Sequence, residues 1–192
     1  VTVSGADDAV SAGADQTGAV TEDATATTAT GTVAASDADA DSAFTYAIGT
    51  AAGTYGTLTM TGADWTYTID NSAAATNALA HDGSGNDVFT ITVTDTSSTL
   101  TDTMTVTVTV SGADDAVSAG GDQTGAVTED ATATTATGTV AASDDDADSA
   151  FIYVIHISSC RQERIAISST DAWPYKINNA AQATTLLYSL NA

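Results

Sequence analysis

Apolar and polar residues alternate through the regular stretches of the chain. "VFTITVTDT" (88–96) sends Phe89, Ile91 and Val93 to one side, and Val88 with the threonines to the other. "MTVTVTV" (104–110) does the same with Met104, Val106, Val108 and Val110. "WTYTID" (65–70) sets Trp65, Tyr67 and Ile69 against threonines, and "TLTMT" (57–61) so sets Leu58 and Met60. A side-chain period of two belongs to a β-strand with one face in a core and one in water. Threonine's β-branching suits the wet face. Turn formers in "GAD", "DGSGND" and "SGADD" separate the runs. Only "NSAAATNALA" (71–80) has helical propensity, and it predicts one or two turns crossing between strands. The whole predicts an all-β protein: about seven antiparallel strands in two packed sheets.

Residues 1–48 recur at 108–155, with only Ala14/Gly121, Ala38/Asp145, Thr45/Ile152 and Ala47/Val154 differing. Val1 maps to Val108, so the period is 107 residues. That is too long for helical or propeller-blade repeats and fits a whole β-sandwich domain. The expected organisation is a tail and linker at 1–8, a sandwich over 9–115, and a divergent sandwich over 116–192. The second copy keeps "WPYKINN" (173–179) where the first has "WTYTIDN" (65–71), so Trp173, Tyr175, Ile177 and Asn179 are expected in the old roles. It lacks "GTYGTLT" and any counterpart of the strands at 87–95 and 103–110. The reading is of an excerpt from a longer protein, with strand donation by a neighbouring copy as the sharper alternative.

Hydrophobic residues make up 43% of the 192, enough for a packed core. Asp and Glu number 25 against three Lys and Arg, for a net charge of −22. Such a surface repels nucleic acid and anionic membranes, because few cations are present to neutralise phosphates. No stretch reaches the roughly 18 apolar residues of a membrane span. Cys160 stands alone, so no internal disulfide forms, and a metal is the obvious alternative stabiliser in a secreted chain.

The acidic residues are grouped. Asp7 and Asp8, then Asp114 and Asp115, follow a final strand and so fall in a linker. Glu22 and Asp23, then Glu129 and Asp130, occupy "VTED". Asp37, Asp39 and Asp41 alternate in "SDADADSAF", and Asp144, Asp146 and Asp148 repeat them in "SDDDADSAF". Crowded like charges raise one another's energy unless a cation or water screens them. Calcium takes six to eight hard oxygens, carboxylate and carbonyl mixed, and loops meeting at one end of a sandwich can supply them. Soft ligands are absent apart from Cys160, which argues against zinc or copper. Asp95 and Asp102 read as turn residues.

The run "GTYGTLTMTGADWTYTIDNSAAATNALA", followed by "FTITVTDT" and "VTVTVSGADDAV", resembles the VCBS repeat family of very large bacterial surface and biofilm adhesins. The likeness covers the first period fully and the second in part. It implies cadherin-like or immunoglobulin-like sandwiches in tandem, with calcium bound at the junctions. The family linker usually reads Asn-Asp-Ala-Pro; this chain has Asp-Asp-Ala-Val, which gains charge and loses a stiffening proline. Asp7 and Asp8 would belong to a junction whose preceding domain is mostly absent.

Other signals are set aside. "DGSGNDVFT" (82–90) nearly fits one nonapeptide of a calcium-binding β-roll, yet a lone copy cannot share ions with a neighbour, and a loop between strands is expected. "TVTVTV" and "TATTATGTV" resemble the threonine arrays of ice-binding faces, which need identical rungs at the strand spacing of about 4.8 Å; no short repeat is present, so a merely solvated face is expected. No nucleophile elbow, zincin helix or Walker loop occurs, and His81 and His156 fall at unmatched repeat positions, so no enzyme is expected. The expected function is an extracellular structural or adhesive module at a bacterial cell surface, with adjacent repeats, and possibly other copies of the chain, as partners. A filament subunit closed by strand donation, or a passive spacer of a secreted enzyme, are the alternatives.

Overall fold

The structure, a computed structural model, describes residues 1–40, 42–128, 130–132, 135–147, 149–154, 163–165 and 172–177. Two compact units are present: Val1–Asp115 with Asp145–Asp148, and Ala116–Asp144 with the described residues from Ser149 onward.

In the first unit, seven strands follow the alternation: β1 (Gln16–Thr21), β2 (Thr28–Thr32), β3 (Phe44–Ile48), β4 (Gly56–Thr61), β5 (Asp64–Ile69), β6 (Ser84–Asp95) and β7 (Thr101–Ser111). One turn of helix, α1 (Ala74–Asn77), crosses between β5 and β6. The sheets have the orders β1-β7-β6-β3 and β2-β5-β4. Their inner faces bury the residues that the period of two selects: Leu58, Trp65, Tyr67, Phe89, Ile91, Val93, Met104 and the valines of β7. Val88, of opposite parity, is exposed. Each fully buried aliphatic or aromatic side chain contributes about 1.5–3 kcal/mol, which makes this layer the main source of stability.

Two details depart from expectation. The sandwich is not wholly antiparallel, because β1 pairs with β7 in parallel, from Gln16↔Val106 to Thr21↔Ser111. Both strands therefore leave the sheet at the same end, which brings residue 22 to the start of the linker. Also, β6 begins at Ser84, so most of the β-roll-like "DGSGNDVFT" is strand rather than loop. Asp87 then points inward with only 3% of its surface exposed. Its carboxylate accepts hydrogen bonds from the amides of Thr54 (2.6 Å) and Tyr55 (3.1 Å) and from the Tyr67 hydroxyl (2.8 Å), fastening the β3–β4 connection.

Across the sandwich, Trp65 Nε1 donates to Gln16 Oε1 (2.7 Å), and Gln16 Nε2 donates to the Thr32 carbonyl (2.7 Å). Gly31 permits this, since a Cβ there would lie 2.6 Å from both the indole and Gln16 Oε1.

In the second unit β8 (Thr135–Thr139), β9 (Glu163–Ile165) and β10 (Ala172–Ile177) form an antiparallel sheet of order β8-β10-β9. Trp173 faces Gly138 in register, as Trp65 faces Gly31. Asn179, His156 and Cys160 lie outside the described residues.

Candidate metal centre

The parallel β1–β7 pair builds the most acidic corner of the first unit. The Glu22 amide donates to the Ser111 carbonyl (3.0 Å), extending the ladder by one residue. Asp23 then takes a left-handed conformation (φ 53°), which turns the chain away. Glu22 is thereby fixed beside the linker with 2% of its surface exposed. Its Oε1 accepts from the Ala113 amide (2.7 Å), while Oε2 is buried with no hydrogen-bond partner. Burial above all holds the Glu22 carboxyl above its ordinary range. The Ala113 hydrogen bond opposes this, and the charges of Asp115, Asp146 and Asp23 add to it.

Asp146 reaches the same corner, its Oδ2 accepting from the Asp115 amide (2.9 Å). One period earlier the geometry is the same: the Asp8 amide donates to Asp39 Oδ2 (2.7 Å). There the Asp39 amide donates to Asp37 Oδ1 (2.9 Å), and Asp37 Oδ2 is buried without a partner. Alternation puts Asp37 and Asp39 on one half-buried side with Ala38 exposed between them, and Asp144 and Asp146 likewise around Asp145.

The structure thus brings together Glu22, Asp115 and Asp146, with Asp23 near enough for its charge to act on Glu22. Asp8, Asp37 and Asp39 form a second group. Asp7 is exposed. Asp114 is exposed too, with His81 Nδ1 3.6 Å from its Oδ2, a contact that contributes little in water. Asp130 repeats the left-handed turn of Asp23 (φ 56°). Asp41, Glu129 and Asp148 lie outside the described residues. Among the described residues no three or more His, Cys, Asp or Glu side chains close up as a ready-made ion cage. Asp95 and Asp102 serve their own turns: Asp95 accepts from Ser97 and Ser98, and Asp102 from the Ala12 amide (2.9 Å). The Ala113 amide, as a backbone group, left no mark in the sequence.

A two-sheet sandwich with a glutamate after its first strand and an acidic linker after its last agrees with the family comparison, in which a bacterial cadherin-like domain matches residues 6–112. The chain belongs to that family. The match takes in all of β1–β7. A bacterial cadherin-like domain is in general a structural or adhesive repeat of a surface protein rather than an enzyme. No curated protein matches the chain. Among the described residues of this cadherin-like chain, no helix is long and apolar enough to cross a membrane, which leaves open what strands could do.

Proposed function

We propose that this cadherin-like domain is a repeat of a large, VCBS-like bacterial surface adhesin, and that calcium bound at its linkers stiffens the string of repeats outside the cell. Glu22 carries the reading. A buried carboxylate with one oxygen unpartnered, raised in pKa by burial and by other carboxylates, is costly to a chain that gains nothing from it. A hard divalent ion would relieve that cost and accept oxygens from Glu22, Asp115 and Asp146. Asp148 and Glu129, together with linker carbonyls, would complete the shell, and Asp8, Asp37, Asp39 and Asp41 would do the equivalent work one period earlier.

The chain's own groups orient the site in advance. The Ala113 amide aims the Glu22 carboxylate, and Asp146 holds the linker at Asp115. An extracellular-type site with affinity near ~10⁻⁴ M in ~1 mM calcium adds about 1.4 kcal/mol by mass action. Calorimetry of the full chain in calcium and in EDTA tests this. Calcium is expected to raise the melting temperature, and Glu22→Gln or Asp146→Asn to shrink the shift. A melting curve that ignores chelation would reduce the clusters to solvated loops.

A further inference from the structure

The outer face of the β2-β5-β4 sheet is a grid of threonines. Register sets Thr28, Thr68 and Thr57 in one row, Thr30, Thr66 and Thr59 in the next, and Thr32, Asp64 and Thr61 in the third. Eight of these nine positions are threonine. All the threonines are exposed except Thr66, which is half-buried at the centre. On the other side of the same strands Leu58, Trp65 and Tyr67 are fully buried, so the grid rests on the stiffest part of the core. β2, β4 and β5 contain no Lys, Arg or Glu, and Asp64 is their single charged residue. In a chain of net charge −22 this is an almost neutral face.

We infer that this face binds ice. Neighbouring strands repeat at about 4.8 Å, and alternate residues along a strand at about 6.8 Å. Both spacings lie close to oxygen repeats on a prism face of hexagonal ice. Threonine suits the task because its stiff χ1 holds a hydroxyl and a methyl at fixed places on each Cβ. The hydroxyl both donates to and accepts from a lattice water, and the methyl orders the waters around it. A short repeat in the sequence would have announced such rungs; here strand pairing assembles them from segments far apart in the chain. Sheet twist of about 20–25° per strand confines the match to the neighbourhood of Thr66. The activity is therefore adsorption to ice and slowed recrystallisation, not deep depression of the freezing point.

The molecule contains its own comparison. β8 repeats the edge threonines as Thr135, Thr137 and Thr139, but the register positions beside them on β10 are Lys176, Pro174 and Ala172. The grid is broken in the second unit, so the activity belongs to the first. The other sheet of the first unit carries threonine pairs Thr90/Thr105, Thr92/Thr103 and Thr94/Thr101, interrupted nearby by Val88, Asn86 and Ala47.

The test grows ice slowly from a solution of the fluorescently labelled full chain and measures its incorporation, alongside recrystallisation in a thin frozen film. The chain is expected to enter the ice and slow coarsening. Thr66→Lys should abolish both at unchanged melting temperature, and Thr92→Lys on the opposite sheet should leave both intact. Should Thr66→Lys disturb folding, Thr30→Lys on the edge strand asks the same question. Exclusion of the chain from ice, or equal damage from Thr92→Lys, would overturn the assignment. So would sedimentation showing face-to-face dimers that Thr66→Lys disperses, which would make the grid a contact between copies.

Discussion

Residues 1–48 and 108–155 are almost the same text, yet only part of their structure is shared. What repeats is local. Ser11 bridges Ser36, and Ser118 bridges Ser143. Gly13 and Gly120 both have positive φ, with their amides donating to Ser11 Oγ and Ser118 Oγ. The linker amide held by a loop carboxylate also recurs, as Asp8 on Asp39 and Asp115 on Asp146. What differs is long-range. Gln16–Thr21 is strand β1, whereas 123–128 is not strand. Val10 is 7% exposed and its twin Val117 is 64% exposed. Val108 and Val110 are fully buried in β7, while Val1 and Val3, in the same "VTVSG", are exposed. β1 exists because β7 lies beside it, and the described residues of the second unit include no counterpart of β6 or β7. β8 persists because β10 pairs with it. An alternating sequence states a willingness to be a strand; a partner decides the matter.

The hardest way to break this comparison is to remove the partner. Val106 faces Gln16 across the β1–β7 pair and is fully buried. Val106→Asp would place an unpaired charge in the core, at a cost upward of about 4 kcal/mol. Hydrogen exchange should show amides 16–21 losing protection and approaching the behaviour of 123–128. Retained protection in β1 would mean that local sequence, not pairing, makes the strand.

Asp87 comes next. Its three donors face a carboxylate with two oxygens, and Asn would turn an N–H₂ group toward one of them. Asp87→Asn is expected to cost about 1–3 kcal/mol in the urea midpoint, with the slope unchanged. This residue also measures how far the sequence could be read. Asp87, Phe89, Ile91, Val93 and Asp95 share one parity, so a strand drawn three residues longer would have flagged a buried carboxylate in need of donors. Core membership was legible in this way, because a period of two is written in consecutive residues. The parallel β1–β7 pairing, the burial of Glu22 and the threonine grid were not, because each depends on which strands become neighbours. The acidic clusters were visible as text, but their grouping follows from where β1 and β7 end.

The local half of the comparison can be sharpened with a matched pair. Asp39→Ala and Asp146→Ala each remove a carboxylate that accepts a linker amide. If the latch is truly local, the Asp8 and Asp115 amide resonances should shift by similar amounts, each variant losing about 0.5–1.5 kcal/mol or less. Unequal shifts would show that the surroundings of one copy contribute.

The smallest expected effect concerns Asp95, which sits on β6 and so belongs to the long-range set. Hydrogen bonding, led by the Ser97 amide, holds its carboxyl below the ordinary range; burial works the other way, and Ser98 and the Ala43 amide assist. The folded state therefore releases this proton more readily than the unfolded chain does. The contribution of Asp95 to stability is complete above the ordinary carboxylate pKa and disappears as pH falls through the lowered folded value. Asp95→Asn should flatten the acid limb of a stability–pH profile measured in EDTA, leaving the shape near neutrality unchanged. Because the Ala43 amide that Asp95 accepts lies in the connection leading into β3, the same variant should loosen the "DADADSAF" loop at acid pH. An unaltered acid limb would mean that this loop is held by its own Asp37 and Asp39 contacts alone, as a local motif would be.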